Sequence, residues 1–109
     1  MLFRSKYLNT FPFFEYPSKI LVNTTTINDF CKEKNITEID FLHMDIEGAE
    51  LIALKGLGNI VPKSIFVEKC YGEDYYVGGY NYGGMIIYLH EKGYKLEVET
   101  EIDAFFVKK

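Results

Sequence analysis

The sequence contains no tryptophan, only three prolines and only two cysteines in 109 residues. Two cysteines, Cys31 and Cys70, make neither a disulfide framework nor a C-x-x-C metal spacing, so reduced thiols are the expected state. A basic excess is also missing. Lys plus Arg total 12 against 16 for Asp plus Glu, a net charge of -4. A duplex nucleic-acid binder needs a basic stripe to replace phosphate counterions, so that class is excluded, and an acidic surface repels anionic lipid. No apolar run approaches the roughly 18 residues of a membrane-spanning helix. The first residues, Met1 to Phe14, lack an uninterrupted apolar core and a small-residue cleavage site, so no signal peptide is expected and the chain reads as cytoplasmic. The Asn-x-Thr sequons at Asn23 and Asn35 then have no glycosylation role. Gly-x-Gly-x-x-Gly, Walker, nucleophile-elbow and zinc signatures are absent, and no metal site is expected.

What remains is ordinary globular material. Hydrophobic residues make up 48% and charged residues 26%, and the length is that of one domain. Residues 1–17 are aromatic but aperiodic, broken by Pro12 and Pro17, and read as an irregular lead-in to a domain spanning 18–109. Ile20, Leu21 and Val22 suit a short strand over Lys19–Thr24. Thr26 or Asn28 can cap a helix to about Lys34, with Ile27, Phe30 and Cys31 on one face. Ile39–Met44 is almost wholly apolar, the pattern of a central strand buried on both faces of a parallel sheet. A short helix ending at Lys55-Gly56 follows, then a strand at Ser64–Glu68, a Tyr- and Gly-rich loop from Cys70 to Gly84, and a helix at Met85–Lys92. Gly93 stops that helix, and strands at Tyr94–Val98 and Asp103–Val107 form a hairpin-like pair. This is an α/β order, and such sheets hold ligands beyond the carboxyl ends of their parallel strands, where Asp45 and Glu68 fall.

Three carboxylates, Asp45, Glu47 and Glu50, crowd the turn from the Ile39–Met44 strand into its helix. They would repel phosphate but would receive an ammonium, a sulfonium or another cation. Glu47 and Glu50 can equally serve as helix-dipole partners, whereas Asp45 directly follows the apolar run and needs a partner. Strand alternation puts His43 on the same face as Asp45, so an acid–base pair is conceivable. Glu68 either binds substrate or pairs with Lys69. Tyrosine and glycine in the loop from Cys70 to Gly84 are the materials of a substrate lid or of a mobile surface loop.

The stretch Ile39-Asp40-Phe41-Leu42-His43-Met44-Asp45-Ile46-Glu47-Gly48-Ala49-Glu50-Leu51 closely resembles the signature of FkbM-type methyltransferases, I-D-F-L-K-I-D-[VI]-E-G-A-E, with His43 in place of the usual lysine. Leu54-Lys55-Gly56, Thr26-Ile27-Asn28-Asp29-Phe30, Val67-Glu68, Gly93-Tyr94 and Asp103-Ala104-Phe105-Phe106-Val107 follow the family order, so the likeness covers roughly residues 18–109. The resemblance implies the C-terminal half of a Rossmann-like class I methyltransferase sheet, mostly parallel with an antiparallel final strand. It also implies S-adenosylmethionine as cofactor and methyl transfer, commonly to oxygen, on a small-molecule or glycan acceptor. Asp45 and His43 would be the catalytic residues, with Asp45, Glu47, Gly48, Glu50 and Glu68 lining the site. The family's D-x-G-A-N-x-G loop, which holds the methionine part of the cofactor, does not occur in this chain. A non-catalytic binding or structural module is therefore the alternative. Either way the strand at Ile39–Met44 is expected to have one open edge, available to a partner chain or a second copy.

Overall fold

The computed structural model describes residues 20–69 and 82–109. The aromatic lead-in and most of the Tyr/Gly-rich loop lie outside the described residues. The described elements are α1 (Ile27–Glu33), β1 (Phe41–Met44), α2 (Glu50–Lys55), β2 (Ser64–Glu68), α3 (Tyr82–Glu91), β3 (Tyr94–Glu99) and β4 (Asp103–Lys108).

Local chemistry sets most of the boundaries. Thr26, in extended backbone, caps α1 by accepting from the Asp29 amide at 3.0 Å, which leaves Asn28 inside the first turn. Gly93 follows α3 with φ 89°, a left-handed position that ends the helix without the strain a side chain would bring. The third helix begins three residues earlier than expected, at Tyr82, because Gly83 and Gly84 are tolerated in a first turn whose leading residue is held by its side chain. The expected strand over Lys19–Thr24 does not form in the described part. Ile20, Leu21 and Val22 have no regular structure and are 71%, 94% and 51% exposed. Their β-branched pattern is not enough, since among the described residues no strand pairs with them.

The four strands form one sheet in the order β1-β2-β4-β3. β1 and β2 pair in parallel, with Leu42 opposite Ile65 and Met44 opposite Val67. β4 then inserts between β2 and β3 and pairs antiparallel with both. Among the described residues the sheet is therefore mixed, with one parallel pairing and not a parallel majority. β1 stands at the end of this order rather than in the centre, and among the described residues its outer edge is unpaired.

Strand alternation divides the sheet into an inner and an outer face. Met44, Ile65, Val67, Ala104 and Phe106 point inward and form one core with Leu54 of α2 and Met85 and Leu89 of α3, against which Ile27 of α1 also packs. Tyr94 is buried in the same layer and donates its hydroxyl to the Pro62 carbonyl. On the outer face Phe41, Phe66 and Phe105 cluster with His43, ring centroids 5.1 to 6.5 Å apart. The expectation that β1 is buried on both faces is thus corrected: Phe41 is 55% exposed and His43 is exposed. The buried apolar side chains of α2 and α3, Leu54, Met85 and Leu89, join the inner-face core, while Ile52 and Ile87 on the same helices stay exposed.

This division has a measurable consequence. Leu54→Ala, at a position with no exposed surface, is expected to cost about 2–5 kcal/mol through lost burial and a cavity. Phe41→Ser on the outer face should cost no more than about 1 kcal/mol. Urea unfolding of the two variants checks this, and equal losses would mean that the outer face is packed as tightly as the inner one.

Candidate functional site

The site lies where β1 and β2 end. Because the two strands run in parallel, their carboxyl ends sit side by side, and Asp45, one residue past β1, meets Glu68, the last residue of β2. After Asp45 the chain turns through two left-handed positions, Glu47 at φ 53° and Gly48 at φ 96°. Gly48 suits this conformation, while Glu47 adopts it at a cost that non-glycine residues ordinarily avoid. The turn is closed from within by Glu50. Its side chain is buried and accepts from the Ile46 amide at 3.1 Å.

This geometry separates the three clustered carboxylates into two kinds. Glu50 faces inward and holds the turn. Asp45 and Glu47 face outward and join Glu68, each offering an oxygen within 4.8 Å of the others. Asp45 and Glu47 are exposed and Glu68 is half-buried. A hydrogen bond between the Asp45 and Glu68 carboxyls, together with burial and the negative charges of Asp45, Glu47 and Asp103, pushes Glu68 up to about 7. Asp103 belongs to the group because the β2–β4 register places it directly opposite Glu68. The arrangement is an acidic cluster whose charge near neutral pH is lowered by the proton held on Glu68.

His43 shares the outer face with Asp45, as alternation requires, but among the described residues no hydrogen bond links the two. Its ring lies edge-on to Phe66 at 5.1 Å. The same alternation turns Lys69 away from Glu68. Lys69 follows Glu68 onto the inner face, where its Nζ meets Glu99 Oε1 at 3.1 Å and the Thr100 carbonyl at 2.5 Å. Asp103 and Glu99 went unrecognised in the sequence, where nothing marks the register that places them.

The family model of the methyltransferase FkbM domain matches residues 4–96. The chain belongs to the FkbM methyltransferase domain family. That match spans every site residue named above except Glu99, Thr100 and Asp103. No curated protein and no solved structure matches the chain. No helix among the described residues is long and apolar enough to cross a membrane. Within the FkbM domain the carboxylate cluster occupies the signature segment Asp45–Glu50 together with the end of β2.

The raised carboxyl has a stability signature. Glu68 is protonated more readily in the folded chain than in the unfolded one, so its contribution is fully present below about pH 4.5 and is lost as pH rises through about 7. Glu68→Gln removes that dependence. Melting temperatures at pH 5 and pH 8 should fall further with rising pH in the native chain than in the variant. Parallel curves would show that Glu68 is not raised in the folded chain.

Proposed function

We propose that the cluster of Asp45, Glu47 and Glu68 receives the sulfonium of S-adenosylmethionine, and that the chain supports methyl transfer to an acceptor oxygen. The observation that carries this reading is the cluster itself: three carboxylates on the outer face at the ends of two parallel strands, with the neighbouring lysine turned away. Ligands in open α/β sheets sit beyond these strand ends. Membership in the FkbM methyltransferase domain family supports a methyltransferase-type function. When bound, the cofactor supplies an electrophilic methyl group on a positively charged sulfur.

The chain's own residues have distinct tasks in this reading. Asp45 and Glu68 face the cation, and Glu68, raised to about 7, can take a proton from an acceptor hydroxyl when it is ionised. Glu47 adds charge without a hydrogen bond to the pair. Buried Gly48 lets the turn bring its backbone close, and Glu50 fixes the turn from beneath. His43 borders the site on the outer face as a second candidate base. Ile46 and Ile102, at 42% and 59% exposure, stand on the loops that flank the carboxylates and offer apolar contact to a small-molecule or glycan acceptor.

A second reading is a non-catalytic module completed by another chain. The unpaired edge of β1 and the aromatic outer face favour it, since both leave apolar or hydrogen-bonding surface uncovered among the described residues.

Equilibrium dialysis with S-adenosylmethionine and with its neutral thioether product S-adenosylhomocysteine separates these readings. The chain carries no glycine loop for the methionine part, so affinity for the cofactor should be weaker than micromolar, about -8 kcal/mol. The charged form should nevertheless be preferred. Asp45→Asn is expected to reduce S-adenosylmethionine affinity at least about tenfold, roughly 1.4 kcal/mol, and to leave the thioether unaffected. Glu47→Gln should cost less. Equal affinity for the two compounds, or no binding of either at millimolar concentration, would favour the module.

A further inference from the structure

Glu99 stands on β3, away from the signature segment, and its direction depends on an irregularity in the sheet. Tyr94 opposes Lys108 and Leu96 opposes Phe106, but beyond a register shift Val98 opposes Phe105 and Glu99 opposes Ala104. β3 thus carries one extra residue, Glu97, against β4. Directly opposed residues share a face, and Ala104 belongs to the inner core. Without the bulge Glu99 would oppose Asp103, which itself opposes Glu68 on the outer face. One more carboxylate would then stand beside the cluster. Bulges re-aim side chains in this way.

On the inner face Glu99 meets Lys69. Its Oε1 accepts from Lys69 Nζ at 3.1 Å and from the Tyr82 hydroxyl at 2.8 Å. Those two hydrogen bonds, with the ammonium's charge, hold Glu99 below the usual carboxylate range. The ammonium also donates to the Thr100 carbonyl and lies 5.1 Å from the centre of the Tyr82 ring. The Lys69 side chain is only 7% exposed, although Lys69 directly follows Glu68, the last residue of β2. A lysine at that place has a flexible four-carbon stem, long enough to bring its ammonium to either side of a strand end. An ammonium on the outer side would neutralise the carboxylates that the proposed function needs.

We propose that Glu99, aimed by the bulge, is a positioning residue that sequesters Lys69 on the inner face and thereby keeps the carboxylate cluster free for a substrate or cofactor cation. This rests on reading the cluster as a cation receptor. It adds a residue that touches none of the reacting groups yet sets the charge they meet. The groups that face Glu68 are Asp45 and Glu47 from the β1–α2 turn and Asp103 from β4, all of them acidic. A single ammonium arriving there would be felt.

The test follows the Glu68 side-chain carboxyl of the full chain by carbon NMR through pH. Glu99→Gln should lower its midpoint by at least about one pH unit, a tenfold change in proton affinity, as the released ammonium turns to the cluster. Lys69→Met alone should leave the midpoint in place. Combining Lys69→Met with Glu99→Gln should restore it, a rescue that a merely structural role of Glu99 would not produce. Glu99→Asp, which keeps the charge on a shorter arm, gives a smaller shift in the same direction should the Gln variant fail to fold. An unmoved midpoint in the Glu99 variants, or a full shift that persists in the double variant, would overturn the proposal. Asp45→Asn is the control. If it leaves the midpoint unchanged, the paired-carboxyl site itself is wrong; if it lowers the midpoint and Glu99→Gln does not, only the role of Glu99 falls.

Discussion

The parallel pairing of β1 with β2 is the constraint on which the rest of the structure depends. Its four-residue register aligns Phe41 with Ser64 and Met44 with Val67, and so delivers the ends of both strands to the same edge. Two carboxyls that are 23 positions apart in the sequence then meet with oxygens within 4.8 Å of each other. Nothing local would bring them together, and their mutual repulsion is carried by packing on the inner face, where Met44, Ile65 and Val67 join the helices. Burial of those side chains, at roughly 25 cal/mol per Å² of apolar surface, is the source of the free energy that holds like charges close.

Alternation then sorts charge by face. Along the end of β2, Val67 enters the core, Glu68 faces outward and Lys69 turns inward again. An opposite-charge pair adjacent in sequence is thereby prevented from neutralising itself. The partner each finds comes from elsewhere: Asp45 for Glu68, Glu99 for Lys69. The outcome is a polarised sheet end, anionic outside and ion-paired inside, produced by a two-residue period and one bulge. Such separation is costly for stability, and it is the kind of local inconsistency expected where a chain serves binding or chemistry instead of packing.

The outer face completes this picture. Phe41, Phe66, Phe105 and His43 cluster there, and among the described residues the outer edge of β1 is unpaired. Sheets with parallel pairing are usually covered on both faces. Here the helices supply one cover, and the aromatic side chains on the other face shield one another only in part.

Much of this was determined by the sequence alone. Cap and stop residues such as Thr26, Gly56 and Gly93 act within a few positions of themselves, and the Ser64–Glu68 run and the Tyr94–Val107 pair carry strand periodicity strong enough to be read directly. The signature from Ile39 to Leu51 likewise identified the family and placed Asp45 at a strand end. The order of strands was not legible, because an apolar run such as Ile39–Met44 looks the same at an edge as in a centre, and pairing is a property of two segments. Ile20–Val22 shows the converse, a strand pattern left without a strand for want of a described neighbour. Tertiary structure alone decided that Glu68 pairs with Asp45, that Glu50 turns inward, and that Glu99 faces Lys69. The first and the last depend on register, where a shift of one residue, as at Glu97, sends a side chain to the opposite face.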